Sequence, residues 1–307
     1  MPDLKLKTAI GNYGHARALK DGTLHPRDIE LEHIEVEPII SAFRRMVRTL
    51  EFQVSEMAIT TYLCARDHGK PFTAIPVFVL RNFAHSGMTY NVRSGIQQPK
   101  DLEGKRMGVR AYTVTSGAWA RGILASEYGV DLSKITWVIF DEEHVLEYKA
   151  PSNVTKAAPG KNMADMLASG ELDAAIGAGE VKSDDVKPLI TDTATAEADW
   201  FRRTGIWPIN HTLVIQNSVL SEHPWVAESL FVGFRQAKEL YFKQTEKDGA
   251  DPRLARLQQL VGPDPYPYGV ETNRPTLEAI IKFAYDQHVL SQAPKVEDIF
   301  VPGAMSF

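Results

Sequence analysis

Residues 29–36 read Ile29-Glu30-Leu31-Glu32-His33-Ile34-Glu35-Val36, and the apolar residues that follow, Ile39, Ile40, Phe43, Met46, Val47 and Leu50, recur at spacings of three and four. A period of two predicts a strand with one buried face, and the switch to a period of about 3.6 predicts an amphipathic helix. Upstream, Leu4-Lys5-Leu6-Lys7-Thr8-Ala9-Ile10 alternates in the same way and runs into the polar, Gly-containing segment Gly11 to His15, with a short helix expected over Arg17 to Asp21. Downstream, Phe52 to Ala58 ends a strand and passes into a helix over Ile59 to Asp67, which Gly69 and Pro71 stop. Strand, helix, strand, helix predicts an α/β fold with a mostly parallel sheet.

Farther along, Ala74 to Val79 is strongly β, and Met88 to Val92 is a second extended stretch. Arg106-Met107-Gly108-Val109 then begins a self-contained pattern. It continues with a helix over Ser116 to Tyr128, a strand over Thr136 to Phe140, a helix over Asn162 to Ser169 and a short buried strand ending at Ile176. Trp207 to Ile215 reads as a returning strand, followed by helices over Pro224 to Thr245 and Arg274 to His288. With 307 residues the chain exceeds the size, about 250 to 300, at which one core tends to split. The pattern therefore predicts a discontinuous first lobe, residues 1–92 and 205–307, and a second lobe of residues 93–204 joined to it by two crossing strands.

Thirty-four Lys and Arg against 39 Asp and Glu give a net charge of −5. No block of basic residues offers a nucleic-acid surface. Cys64 is the only cysteine, so an intrachain disulfide and a multi-cysteine metal site are excluded. It reads as a small core hydrophobe. The alternating start of the chain lacks the apolar core of a secretory signal, and no apolar run reaches the length of a membrane span. The expectation is a soluble cytoplasmic protein with no nucleic-acid or membrane partner, its homo-oligomeric state left open.

Gly95-Ile96-Gln97-Gln98-Pro99-Lys100-Asp101-Leu102-Glu103-Gly104-Lys105-Arg106-Met107-Gly108-Val109, with Ala168 to Ile176 later, resembles the second lobe of type II periplasmic-binding-protein folds. That resemblance implies two α/β lobes with a ligand cleft between them. Asn12-Tyr13-Gly14-His15-Ala16-Arg17-Ala18-Leu19, Val54 to Ala58, Ile75 to Phe78 with Arg81 and His85-Ser86, Thr115 with Trp119 to Leu124, and Pro208-Ile209-Asn210-His211-Thr212 resemble, in that order, the 4,5-dihydroxyphthalate decarboxylase family. The resemblance implies a cytoplasmic carboxy-lyase that uses no cofactor and converts 4,5-dihydroxyphthalate to protocatechuate and carbon dioxide. A noncatalytic solute-binding protein or sensor for a small aromatic or carboxylate ligand is the alternative.

Such a reaction needs an anion clamp, a base for the phenol and an acid facing the ring carbon. Arg81 and Arg110 stand at strand ends and suit the clamp, because the guanidinium fork matches a carboxylate. Arg17 and Arg121 fall within helices, where a structural salt bridge competes with a ligand contact. His15, His85 and His211 come from remote segments and titrate near neutrality, so they are the candidate acid and base. Glu180, after Gly177-Ala178-Gly179, and Glu56, at a strand end, are carboxylates able to orient a histidine or meet the substrate. Thr115 and Ser116 open a helix whose first amides suit an anion. Trp119 and Tyr13 are candidate stacking partners for an aromatic ring, or else core. No local metal-ligand spacing, Walker loop, dinucleotide fingerprint or Gly-x-Ser-x-Gly elbow is present.

Overall fold

The computed structural model describes residues 4–248 and 251–307. The strands are β1 (Leu4–Ala9), β2 (Ile29–His33), β3 (Val54–Ala58), β4 (Phe72–Arg81), β5 (Met88–Asn91), β6 (Arg106–Val109), β7 (Thr136–Ile139), β8 (Val154–Lys156), β9 (Ala174–Ile176), β10 (Val186–Pro188) and β11 (Ile209–Gln216). The α-helices are α1 (Arg17–Lys20), α2 (Ile40–Thr49), α3 (Ile59–Asp67), α4 (Thr115–Tyr128), α5 (Met163–Ser169), α6 (Thr193–Thr204), α7 (Asn217–Glu222), α8 (Val226–Asp248), α9 (Pro252–Val261) and α10 (Arg274–Asp286). They fall into two compact units. One holds the described residues of Met1–Arg81 with Ile209–Glu278 and Pro294–Phe307, and the other holds Asn82–Pro208 with Ala279–Ala293.

In the first unit the sheet order is β2-β1-β3-β11-β4. β1 is parallel to β2 and β3, whereas β11 is antiparallel to both β3 and β4. β2 alternates in burial as an outer strand does, and β3 is buried at every position, as a central strand covered on both faces must be. The three-and-four stripe of α2 buries Ala42, Phe43, Met46 and Val47, and the helix stops where Leu50 turns left-handed at φ 51°. α3 buries Ile59 through Ala65 with no polar face, Cys64 among them.

In the second unit the order is β10-β5-β9-β6-β7-β8, with β6 parallel to β7 and β9. Val138, Met166, Leu167, Leu172 and Ala175 form a core cluster beneath it. Gly108 on β6 has no room for a side chain, since a Cβ there would lie 2.7 Å from Leu172.

Two assignments differ from the sequence expectation. β5, expected in the first lobe, pairs antiparallel with β9 and β10 of the second sheet. An extended pattern announces a strand without naming its sheet; here the buried Asn91 side chain ties β5 to the Leu167 carbonyl at 2.8 Å. Ala279–Ala293, expected with the first lobe, belongs to the second unit: the Phe283 ring lies 5.8 Å from Trp119, and Gln287 donates to the Ala118 carbonyl. The short strands β8 and β10 and the helix α7 have no clear periodicity and are not foreseen. Among the described residues no helix is long and apolar enough to cross a membrane.

Candidate active site

Glu56 sits at the middle of β3 and is 0% exposed. A carboxylate buried there without partners would cost several kcal/mol, so its hydrogen bonds define the site. Oε2 accepts from the backbone N–H of Gly11 at 2.8 Å. Oε1 accepts from the Tyr13 hydroxyl at 2.6 Å and faces Nδ1 of His211 at 2.5 Å. The donors come from the loop after β1 and from β11, the two strands that flank β3. Burial and the Glu56 charge push the Tyr13 pKa up, so the phenol stays protonated and donates.

His211 pairs opposite Ala58 on β3, two residues beyond Glu56 and therefore on the same face. The register of β11 against β4 shifts on either side of it, between Ile209 and His211 and between His211 and Leu213. Such irregularities re-aim a side chain, and this one turns the imidazole onto Glu56. Since a carboxylate only accepts, Nδ1 carries the proton. The edge of the ring contact is made with Phe43, 4.9 Å away, and Nε2 has no hydrogen-bond partner among the described residues. The imidazole is thus oriented from behind and open at its other nitrogen.

His15 is buried beside this group. Its ring stacks against Tyr266 at 4.2 Å and Tyr13 at 5.4 Å. The Val79 backbone accepts a hydrogen bond from the ring, while Nε2 is buried without a partner. Burial holds its pKa down to about 4, so it is neutral near pH 7.

Arg81 ends β4 as expected, but its side chain is only 1% exposed. It donates to the Pro267 carbonyl at 3.1 Å and to the side-chain oxygen of Asn273, and it lies over the Phe78 ring. Burial lowers its pKa to about 9. Where the sequence predicts an open strand end, the segment from Asp264 to Asn273 covers it. Neither Asn273 nor Tyr266 stands out in the sequence, because each lies in a Pro- and Gly-containing stretch that reads as a turn.

Apart from Arg17 on α1 of the first unit, the remaining candidates lie in the second unit. His85 is 1% exposed, near the rings of Phe83 and Trp200, and burial lowers its pKa to about 4. Trp119 is fully buried, with Trp200 and Phe283 set edge-on to it. Arg110 pairs with Asp141 at 3.2 Å. Thr115 is buried and Ser116 exposed at the start of α4, and the amides of Tyr112 and Thr113 just before it are taken by the Glu143 carboxylate. Glu180 is exposed in the loop after β9. Arg121 is buried, donating to Gln287 and to the Tyr112 carbonyl over the Tyr112 ring. Of the expected residues, one unit therefore brings together Tyr13, His15, Glu56 and His211. Among the described residues no group of three His, Cys, Asp or Glu is placed to hold a metal ion.

Residues 46–154 match the NMT1/THI5-like family. The chain is 29% identical over 326 residues to a Comamonas testosteroni protein named 4,5-dihydroxyphthalate decarboxylase, covering 99% of this chain and 98% of that one. A Pseudomonas putida protein of the same name is 33% identical over 218 residues, covering 66% of this chain and 83% of that one. Among solved structures, the periplasmic aliphatic sulphonate binding protein SsuA of Escherichia coli superposes with a TM-score of 0.53 at 11% identity, over 98% of this chain and 92% of that one. The desulfurization enzyme DSZB superposes with a TM-score of 0.55 at 14% identity, over 99% and 97%. These likenesses show the periplasmic-binding-protein type of fold.

Proposed function

The chain belongs to the 4,5-dihydroxyphthalate decarboxylase family, and from that membership we propose that it removes one carboxyl group from 4,5-dihydroxyphthalate, releasing carbon dioxide and protocatechuate. Membership favours this reading over a noncatalytic solute-binding protein or sensor. The observation that carries the mechanism is the buried contact between Glu56 and His211.

In the substrate each carboxylate-bearing carbon is para to a hydroxyl. As that phenol loses its proton, electron density reaches the carbon across the ring, which then takes a proton and gives a dearomatised intermediate. Loss of carbon dioxide returns the bonding pair to the ring and restores aromaticity. Every electron stays within the substrate, so the steps call for acid and base groups and no cofactor. His211 supplies the proton to the ring carbon from Nε2. Glu56, on Nδ1, sets the ring orientation and stabilises the imidazolium that precedes transfer. Tyr13 and the Gly11 amide hold the carboxylate in place. His15, kept neutral, has its bare Nε2 as an acceptor for a substrate hydroxyl.

The setting proposed is the cytoplasm, with a small aromatic carboxylate as the ligand; a net charge of −5 gives no support to a polyanionic partner. The test is to incubate the purified protein with 4,5-dihydroxyphthalate and follow carbon dioxide and protocatechuate. In deuterated water one deuteron must appear at the vacated ring carbon. Absence of carbon dioxide release from this substrate overturns the proposal.

A further inference from the structure

Of the two arginines expected to clamp a carboxylate, Arg81 bonds Pro267 and Asn273 within the first unit, and Arg110 pairs with Asp141 in the second. The first unit has a cavity of about 340 Å³ whose lining includes Asn12, Tyr13, Arg17, Lys20, Asp21 and Glu35. Tyr13 is common to this cavity and the Glu56 group: it is among the lining residues, and its hydroxyl bonds Glu56.

Two cations line the cavity, and their states differ. Nζ of Lys20 is satisfied by the Ile10 carbonyl at 3.0 Å, by Asn12 Oδ1 at 2.7 Å and by Glu35 at 2.8 Å. Its side chain is 11% exposed and its charge is balanced by Glu35. Asp21 is held by the Thr23 amide at 3.0 Å. Arg17 is exposed, and its guanidinium makes no hydrogen bond or close ion pair among the described residues; its charge adds only weakly to the Thr23 hydrogen bonds that hold the Asp21 pKa down. The backbone that carries it is nevertheless fixed. Ala16, Ala18 and Leu19 are buried, and Gly14 admits the Tyr241 ring so closely that a Cβ there would lie 2.4 Å from it. An anchored backbone carrying a guanidinium free of hydrogen bonds suits recognition of a carboxylate.

We propose that this cavity receives the carboxylate that the substrate keeps, with Arg17 as the residue that holds it and the Tyr13 ring beside the aromatic face. The proposal rests on the decarboxylase reading for the identity of the ligand. A ring held by its retained carboxylate is oriented before the other carboxylate meets the acid. Because the product keeps that carboxylate, Arg17 also makes protocatechuate a competitive inhibitor.

Phthalate itself tests this, since it has both carboxylates but no hydroxyl to activate the ring. Its dissociation constant is measured by titration calorimetry for the wild type, Arg17→Ala, Arg17→Lys and, as a control on another exposed arginine, Arg27→Ala. The expected result is weakening of about tenfold or more for Arg17→Ala, a smaller loss for Arg17→Lys and no change for Arg27→Ala. Equal binding in wild type and Arg17→Ala, or no phthalate binding by the wild type, overturns the proposal. Carbon dioxide release is scored separately. A protein that binds phthalate through Arg17 but leaves 4,5-dihydroxyphthalate intact removes the decarboxylase reading and keeps the site; one that decarboxylates with Arg17→Ala kinetics unchanged does the reverse.

Discussion

His211 and Glu56 are 155 residues apart in the chain, yet Nδ1 of one is 2.5 Å from Oε1 of the other. The pair forms because β11 inserts beside β3 with His211 opposite Ala58, and the register shift against β4 turns the imidazole inward. It gives the proposed acid a fixed tautomer.

Removing either partner should therefore cost turnover. His211→Asn is expected to lower kcat by about 100- to 10,000-fold, the range for a lost general acid, with KM changed far less. Glu56→Gln, which keeps an acceptor for Tyr13, should also reduce kcat. Steady-state kinetics on 4,5-dihydroxyphthalate would settle this, and a kcat within threefold of wild type for His211→Asn would remove it as the acid.

Acid sensitivity follows from two buried histidines. Burial holds His15 and His85 at about 4, below the 6.5 of an exposed imidazole. Between those values the unfolded chain binds more protons than the folded one, so stability is complete above about pH 6.5 and falls as the pH drops toward 4. For His15 the loss amounts to about 3 kcal/mol. His85→Phe, which suits the Phe83 and Trp200 surroundings, should flatten that slope. Urea midpoints taken between pH 4 and 7 would show it; parallel curves for the two proteins would contradict it.

Asn273 is expected to matter for stability. Its side chain accepts from Arg81 and donates to the Pro267 and Gly269 carbonyls at 3.0 and 2.8 Å. Asn273→Ala leaves a buried guanidinium and two carbonyls short of partners, a loss of about 2 to 4 kcal/mol. The thermal midpoint should drop by several degrees while activity at low temperature persists.

Gly122 offers a case where two effects oppose. In a helix interior Gly→Ala ordinarily stabilises by about 1 kcal/mol. On α4, however, a Cβ at Gly122 would lie 2.1 Å from the Phe283 ring of α10. Overpacking by about 1 to 3 kcal/mol should win, so Gly122→Ala destabilises. Combining it with Phe283→Leu should recover part of the loss in chemical denaturation.

The local periodicities of β1, β2 and α2 are readable because each follows from residues within one turn or pleat. Glu56 also stands out, although the sequence reads it at a strand end and the structure sets it in the middle of β3. What the sequence does not display is pairing. Nothing near Met88 says that β5 joins the second sheet, and nothing near Arg81 says that Asn273 arrives from almost 200 residues away to cover it. Arg17 is visible as a residue, but that its guanidinium is left without a hydrogen bond is recognisable only once Lys20 is seen paired with Glu35 and Asp21 held by the Thr23 amide.

The position of β11 between β3 and β4 also has a meaning for biosynthesis. On the ribosome, β4 is complete at Arg81, but the strand that joins it to β3 begins at Ile209. At about 5–20 residues per second, the half-sheet waits roughly 6 to 25 s with two unpaired strand edges while the intervening segment emerges. Arrival of β11 closes both edges and brings His211 to Glu56 in one event, so a nascent chain acquires its acid only as these exposed edges are covered.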